Sequence, residues 1–347
     1  MLNEISAIHA LAQRSSIQPV NWPCAHSANC RIWVKRDDLL HPVVSGNKLF
    51  KLFHHLKQAA ELKSAGLISF GGAYSNHLYA LARVAHSLNM PSVGIIRGEE
   101  CDTQNPTLMD LTAFKMHVQP VSREVYRTKT QEPFLAQLNE KYPGFYVIPE
   151  GGAGVLGAQG FVDYAEAVAD QLIKAGIVID SVWLPAGSGT SVAGLAARWQ
   201  NLQAVCAFAT NNPKPFMDEI TLLSSQVCQR LQNRITQPHL ISWHGFNIPF
   251  GKLPESIIDI CWAFWQETGV LFDPIYGGKV LLALQKAFEN GLRGKNILLL
   301  HTGGVQGWRG FLAHKNIPSE FEAALAHYWQ GTHSFILNDT DLTLGHI

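Results

Sequence analysis

Gly66-Leu67-Ile68-Ser69-Phe70-Gly71-Gly72-Ala73-Tyr74-Ser75-Asn76-His77 decides the fold of this 347-residue chain. The stretch begins as a short apolar run of strand length and continues as a glycine-led loop. Leu78, Leu81, Ala82, Ala85 and Leu88 then recur at helical spacing. A buried strand that passes through a glycine loop into a helix is the repeating unit of a parallel sheet. The same reading extends outward. Ser92-Val93-Gly94-Ile95-Ile96, Lys115-Met116-His117-Val118, Phe145-Tyr146-Val147-Ile148, Ser181-Val182-Trp183-Leu184-Pro185, Ala204-Val205-Cys206-Ala207-Phe208 and Asn296-Ile297-Leu298-Leu299-Leu300-His301 read as strands. Helices are predicted over 157–174 and 190–199, and helical periodicity returns after about Asn316 and stops at Trp329. This alternation predicts β-α-β units in an α/β fold. No internal repeat, low-complexity tract or long linker interrupts it, so two lobes would be interleaved rather than tethered.

Composition narrows the function. With 47% hydrophobic and 16% charged residues the chain can bury a large core, and its 27 basic and 27 acidic side chains cancel. That balance gives no electrostatic footprint for nucleic acid or an anionic membrane, which leaves a small molecule as the expected partner. Residues 1–20 carry Glu4, Gln13 and Arg14 and lack the basic start and apolar stretch of a secretion signal; no segment is apolar for the length of a bilayer span. Six cysteines without a Cys-x-x-Cys pair suggest reduced thiols and a cytoplasmic protein, although Cys24 and Cys30 stand close enough in sequence to pair in a loop.

Upstream of the deciding strand lies Val44-Ser45-Gly46-Asn47-Lys48-Leu49-Phe50-Lys51-Leu52. Leu49, Leu52, Phe53, Leu56, Ala59 and Ala60 mark the apolar face of a helix that Lys48 opens, with Ser45-Gly46-Asn47 as its turn and cap. Lys48 and Lys51 share one side of the first turn. There one desolvated amine can form a Schiff base while the other holds a phosphate beside unpaired amides. The same spacing also suits two solvated lysines. Ala186-Gly187-Ser188-Gly189-Thr190-Ser191 is a strand-to-helix loop fit for a monophosphate. It lacks the Gly-Lys-Ser/Thr of a Walker loop, and the strand that follows ends in Ala209-Thr210-Asn211 without the carboxylate of a dinucleotide site. Ser75-Asn76-His77 suits a carboxylate or a phenolic oxygen, or equally an ordinary helix cap. Glu150-Gly151-Gly152-Ala153-Gly154-Val155-Leu156-Gly157 is a third glycine-rich helix entry, Thr302 ends the late strand, and Tyr276 in Asp273-Pro274-Ile275-Tyr276-Gly277-Gly278-Lys279 is a candidate proton donor.

Taken together, Val34-Lys35-Arg36-Asp37-Asp38, Ser45-Gly46-Asn47-Lys48, Ser75-Asn76, Ser188-Gly189-Thr190-Ser191, Asp273-Pro274-Ile275-Tyr276 and His301-Thr302-Gly303-Gly304 resemble one family. It is the tryptophan-synthase-β type of pyridoxal-phosphate enzyme, in the branch of 1-aminocyclopropane-1-carboxylate deaminase and D-cysteine desulfhydrase. The resemblance runs from about Val34 to Gly310, with Phe50 where an arginine is common. It implies fold type II: two open, twisted, mostly parallel sheets flanked by helices, with a small substrate-side lobe at 51–160 inserted into a large cofactor lobe made of 1–50 and 161–347. It implies pyridoxal 5'-phosphate as cofactor, a small amino-acid substrate and a homodimer. Lys48 would carry the cofactor and act as general base, and Lys51 with Gly187, Ser188, Gly189, Thr190 and Ser191 would hold its phosphate. Asn76 would meet its phenolic oxygen and Thr302 its ring nitrogen. Ser75, Asn76 and His77 would take the substrate, and Ser75 and Tyr276 would assist catalysis.

Departures within the branch set the expected reaction. Cyclopropane deaminases carry a glutamate after the tyrosine, facing the ring nitrogen, where this chain has Gly277. Thr302 matches the desulfhydrase pattern and leaves the ring a weaker electron sink. Phe250 stands where a tyrosine is usual, and Ala153-Gly154 replaces a more polar pair. The expectation is β-elimination from D-cysteine to pyruvate, ammonia and hydrosulfide. Deamination of 1-aminocyclopropane-1-carboxylate to 2-oxobutanoate is the alternative, and a cofactor-binding protein without turnover is the alternative of another class.

Overall fold

The computed structural model describes residues 10–338 apart from 42–43, 100–101, 103, 200–202, 209–213, 232–239, 244–247, 249–251 and 313–314. In chain order its strands are β1 (Ile17–Val20), β2 (Arg31–Lys35), β3 (Gly66–Gly71), β4 (Ser92–Arg97), β5 (Met116–Val121), β6 (Phe145–Val147), β7 (Ser181–Ala186), β8 (Gln203–Phe208), β9 (Leu240–Trp243) and β10 (Asn296–Leu300). They form a six-stranded sheet in the order β1-β2-β10-β7-β8-β9 and a four-stranded sheet in the order β5-β4-β3-β6. Every pairing is parallel except that of β1 with β2. The smaller sheet is inserted between β2 and β7 of the larger one. The helices that position the site are α1 (Lys48–Glu61), α2 (Asn76–Ser87), α3 (Val155–Lys174), α4 (Thr190–Arg198), α5 (Gly277–Glu289) and α6 (Ser319–Asn338). No helix among the described residues is long and apolar enough to cross a membrane.

Parallel strands need cover on both faces, and the alternation of side chains supplies it. Trp183 of β7 and Ile297 and Leu299 of β10 enter a core with α5 residues such as Val280 and Leu284. Their neighbours Val182, Leu184, Leu298 and Leu300 enter a second core on the opposite face with Phe161 of α3 and Leu195 of α4. The small sheet divides in the same way, with Leu67 and Ile96 facing α1 and α2 while Ile68, Phe70, Val93 and Ile95 face Tyr126 and Phe134. Phe50 belongs to this packing: fully buried, it lies with its ring centroid 4.6 Å from that of Tyr164 on α3.

Several local expectations need correction. Asn47 does not cap α1 with its side chain; its amide reaches across to donate to Ser191 Oγ at 3.4 Å. Ala60 is exposed, whereas Phe50, Lys51, His54 and His55 are buried, so α1 is enclosed on more than one side. Helix α3 begins two residues before the expected 157, and α6 runs nine residues past Trp329. Cys24 and Cys30 are unpaired, and Cys30 Sγ accepts the backbone N–H of Lys295 at 3.4 Å. Phe250 and Ala209-Thr210-Asn211 lie outside the described residues.

The turn before Lys48 is held from two sides. Gly46 N donates to Asp37 O at 2.7 Å, and Asn47 N donates to Thr302 O at 3.3 Å. Asp37 is buried, with Lys35 Nζ 3.2 Å from Oδ1 and the Tyr164 hydroxyl donating to Oδ2 at 2.6 Å. The charged signature around Asp37 is therefore an internal anchor. Gly46 sits at φ +75°, and a Cβ there would stand 1.9 Å from Thr302 O. Gly46→Ala is expected to destabilise the apoprotein by about 3 kcal/mol through left-handed strain and overlap. Urea denaturation would read this as a lowered midpoint, and an unchanged midpoint would contradict the account.

Candidate active site

The C-terminal ends of β3, β7 and β10 and the starts of α1, α2 and α4 converge on one crevice, the place where open parallel sheets bind ligands. Lys48 opens α1 half-buried in it, and Lys51 follows one turn later with 4% exposure. Burial lowers the Lys48 amine to a pKa of about 8, against the opposing field of Asp273 and a hydrogen bond with Lys51. Lys51 is pushed well below the ordinary lysine range by burial and by the charge of Lys48. Two amines thus share a desolvated pocket.

Across the crevice, Lys51 Nζ donates to Ser188 Oγ at 3.4 Å, and Ser188 Oγ lies 3.0 Å from Thr190 Oγ1. Gly189 adopts φ +69° as the N-cap of α4, so the chain turns into the helix with its first N–H groups pointing into the loop. A Cβ on Gly187 would press on the Tyr276 ring at 3.2 Å, so glycine there lets the phenol lie close against the loop backbone. Gly152, from the third glycine loop, backs this wall; a Cβ there would stand 3.0 Å from Lys51 Cβ. These residues fit pyridoxal phosphate. The hydroxyls, helix N-terminus and Lys51 match a phosphate dianion, which would offset the paired amines, and Lys48 matches the aldehyde.

Ser75 caps α2, its Oγ accepting Leu78 N–H at 3.2 Å. Asn76 Oδ1 accepts from Gln306 Nε2 at 3.0 Å. His77 is buried, and Ser69 explains its tautomer. The Ser69 hydroxyl donates to Ile148 O at 2.8 Å, so it accepts the Nε2 proton of His77 at 2.7 Å. Nδ1 is then a lone pair, buried and without a partner among the described residues. Burial first, then Lys48, Lys51 and His55, hold this ring well below the usual histidine range. A neutral ring whose open nitrogen only accepts cannot donate to a carboxylate, which corrects the expectation that the imidazole would do so.

Tyr276 precedes α5, and burial raises its phenol above the ordinary tyrosine range. Its position is set by Asp273. Oδ1 of that buried carboxylate accepts the N–H groups of Ile275 at 3.0 Å and Tyr276 at 2.7 Å, and Oδ2 accepts that of Gly277 at 2.7 Å. A Cβ on Gly277 would stand 2.5 Å from Phe272 Cδ1 and 2.8 Å from Asp273 Oδ2. The position has no room for a glutamate. Thr302 is half-buried at the end of β10, and its hydroxyl makes no hydrogen bond among the described residues. The preceding His301 accepts Gly303 N–H on Nδ1 at 3.1 Å and stacks on Phe272 at 4.2 Å.

The crevice therefore gathers Lys48, Lys51, Ser75, Asn76, Gly187, Ser188, Gly189, Thr190, Ser191, Tyr276 and Thr302. Sequence reasoning missed Asp273 and Gln306. Asp273 had a local signal, since an aspartate two to four residues before unpaired N–H groups is a turn cap. Gln306 had none, because its partner is 230 residues away.

Comparison with known proteins gives the family. Residues 23–303 match the family model described as pyridoxal-phosphate dependent enzyme. The bifunctional D-cysteine desulfhydrase/1-aminocyclopropane-1-carboxylate deaminase of Arabidopsis thaliana mitochondria is 29% identical over 297 residues, covering 80% of this chain and 73% of that one. The D-cysteine desulfhydrase of Serratia proteamaculans is 29% identical over 292 residues, covering 79% and 86%. The crystal structure of an ACC deaminase homologue superposes with a TM-score of 0.76 at 24% identity, covering 94% of this chain and all of that one, and shares the fold. The chain belongs to the family of pyridoxal-phosphate-dependent enzymes.

Proposed function

We propose that this enzyme is a D-cysteine desulfhydrase-like lyase, converting D-cysteine and water to pyruvate, ammonia and hydrosulfide. The observation that carries the reading is the Asp273–Gly277 turn. The one carboxylate at this point is already engaged by three backbone N–H groups, and Gly277 has no space for another. That favours a neutral partner, Thr302, for the ring nitrogen. Expelling thiolate from a β-carbon demands less activation than opening a cyclopropane that lacks an α-proton.

Bound in the crevice, pyridoxal phosphate supplies an aldehyde and an electron sink for an amino-acid carbanion. Lys51, Ser188, Thr190, Ser191 and the α4 amides, reached through Gly187 and Gly189, would hold the phosphate. Lys48, with its amine partly uncharged near neutrality, would be the residue that holds the aldehyde end and would carry the α-proton as general base. The backbone N–H groups of Asn76 and His77, which Ser75 leaves unused at the start of α2, bind the substrate carboxylate, and Ser75 closes that side. The Tyr276 phenol, kept protonated by burial, faces Gly187 and would donate a hydrogen bond to the sulfur as it leaves as hydrosulfide. Residues 51–160 form the substrate-side lobe, and 1–50 with 161–347 form the cofactor lobe. The enzyme works as a cytoplasmic homodimer, a placement supported by the unpaired thiols of Cys24, Cys30, Cys228 and Cys261.

Because only the uncharged amine attacks, capture of pyridoxal phosphate by apoprotein is expected to accelerate as pH rises and to level off above about 8. Lys48→Ala should abolish the visible absorption of bound cofactor. A rate flat with pH, or an unchanged band in the variant, would refute this role. Side-by-side assays should find hydrosulfide and pyruvate from D-cysteine, with little or no 2-oxobutanoate from 1-aminocyclopropane-1-carboxylate. Robust ring opening without D-cysteine turnover would reverse the assignment.

A further inference from the structure

We propose that Gln306 is a positioning residue for the cofactor, fixing the carboxamide of Asn76 so that its NH2 end faces the phenolic oxygen of pyridoxal phosphate. The inference rests on the cofactor-binding reading of Asn76 given above. Gln306 lies in the 3-10 turn Val305–Gly310, beyond the residues that the family model matches. Its Nε2 donates to Asn76 Oδ1 at 3.0 Å. A carboxamide has one donating and one accepting end, so an occupied Oδ1 leaves Nδ2 for the crevice. Nδ2 packs against Gly304, where a Cβ would approach it to 2.6 Å, so only a glycine there leaves the NH2 end room. A phenolic oxygen that has lost its proton can only accept, and needs that end.

The turn that presents Gln306 is itself anchored. Gly307 N donates to Gly304 O at 2.8 Å, Trp308 Nε1 donates to Phe272 O at 2.7 Å, and Arg309 forms an ion pair with Asp110 on the small-sheet side. With its backbone held, Gln306 meets Asn76 from a fixed direction. The reversed arrangement, Asn76 Nδ2 donating to Gln306 Oε1, would keep one hydrogen bond but set an oxygen against the phenolate. Substitution separates the two. Gln306→Glu offers Asn76 only acceptors and forces that reversal, whereas Gln306→Leu offers neither end.

Apoproteins of the wild type, Gln306→Glu and Gln306→Leu would be titrated with pyridoxal phosphate and followed by visible absorption, with the melting temperature of each apoprotein recorded. The expected result is a Gln306→Glu cofactor affinity lower on the order of tenfold to a hundredfold, the scale of one hydrogen bond to a charged acceptor. Its band should move to shorter wavelength as the phenol keeps its proton, Gln306→Leu should fall between the two, and the apoprotein melting temperatures should match. Wild-type affinity and band in Gln306→Glu would overturn the proposal, as would equal losses in both variants, which would mean packing alone. Should Gln306→Glu not fold, wild-type affinity in Gln306→Leu overturns it. Absence of any visible band in the wild type would refute the cofactor reading itself, and this inference with it.

Discussion

The contact of Gly46 with the end of β10 is the constraint on which the site depends. Lys48 can do chemistry only if its helix starts at a fixed distance from the strand ends. The backbone of 46–47 is seated directly on the Thr302–Gly303 peptide, with no side chain between. Asp37, tied to Lys35 and Tyr164, closes the other side of the turn. The second sheet then reaches the same strand end through Gln306 to Asn76 and Arg309 to Asp110. Both halves of the crevice are thus referenced to β10.

Electrostatics gives that crevice its ligand preference. Burial lowers the tendency of both amines to hold a proton, and the charge of Lys48 lowers that of Lys51 further. Asp273 offsets part of this for Lys48, but its oxygens are committed to the Tyr276 turn. An anion with several oxygens, placed between Lys51 and the start of α4, balances the pocket in a way no side chain there does. The same arrangement leaves Lys48 the amine better able to cycle between charged and uncharged forms near neutral pH.

Much of this was legible in the sequence because it is local. Strands such as Ser181–Ala186 are largely apolar runs followed by glycine, and the Ser188–Ser191 loop carries its hydroxyls and glycine within four residues. What escaped reading depends on distance or on buried charge. The strand Arg31–Lys35 ends in a lysine that no apolar pattern would place at 0% exposure; it is there because Asp37, Ser15 and backbone carbonyls surround its amine. The His77 tautomer depends on Ser69 and Ile148, and the amide orientation of Asn76 on Gln306, none of which local spacing connects. Gly277 was legible as a missing glutamate, but only packing shows that Phe272 and Asp273 occupy the space.

The central claim is that Lys48, among several buried lysines, is the amine that bonds the cofactor. Lys51 and Lys279 are buried too, each with a lowered pKa, so a depressed pKa alone does not select it. Position does: Lys48 is the first residue of α1, between Thr302 and the Ser188–Ser191 loop. Borohydride reduction of the holoenzyme followed by peptide mass mapping measures this directly. The account predicts a pyridoxyl group on Lys48 alone; the group on Lys51 or Lys279, or on no lysine, would contradict it.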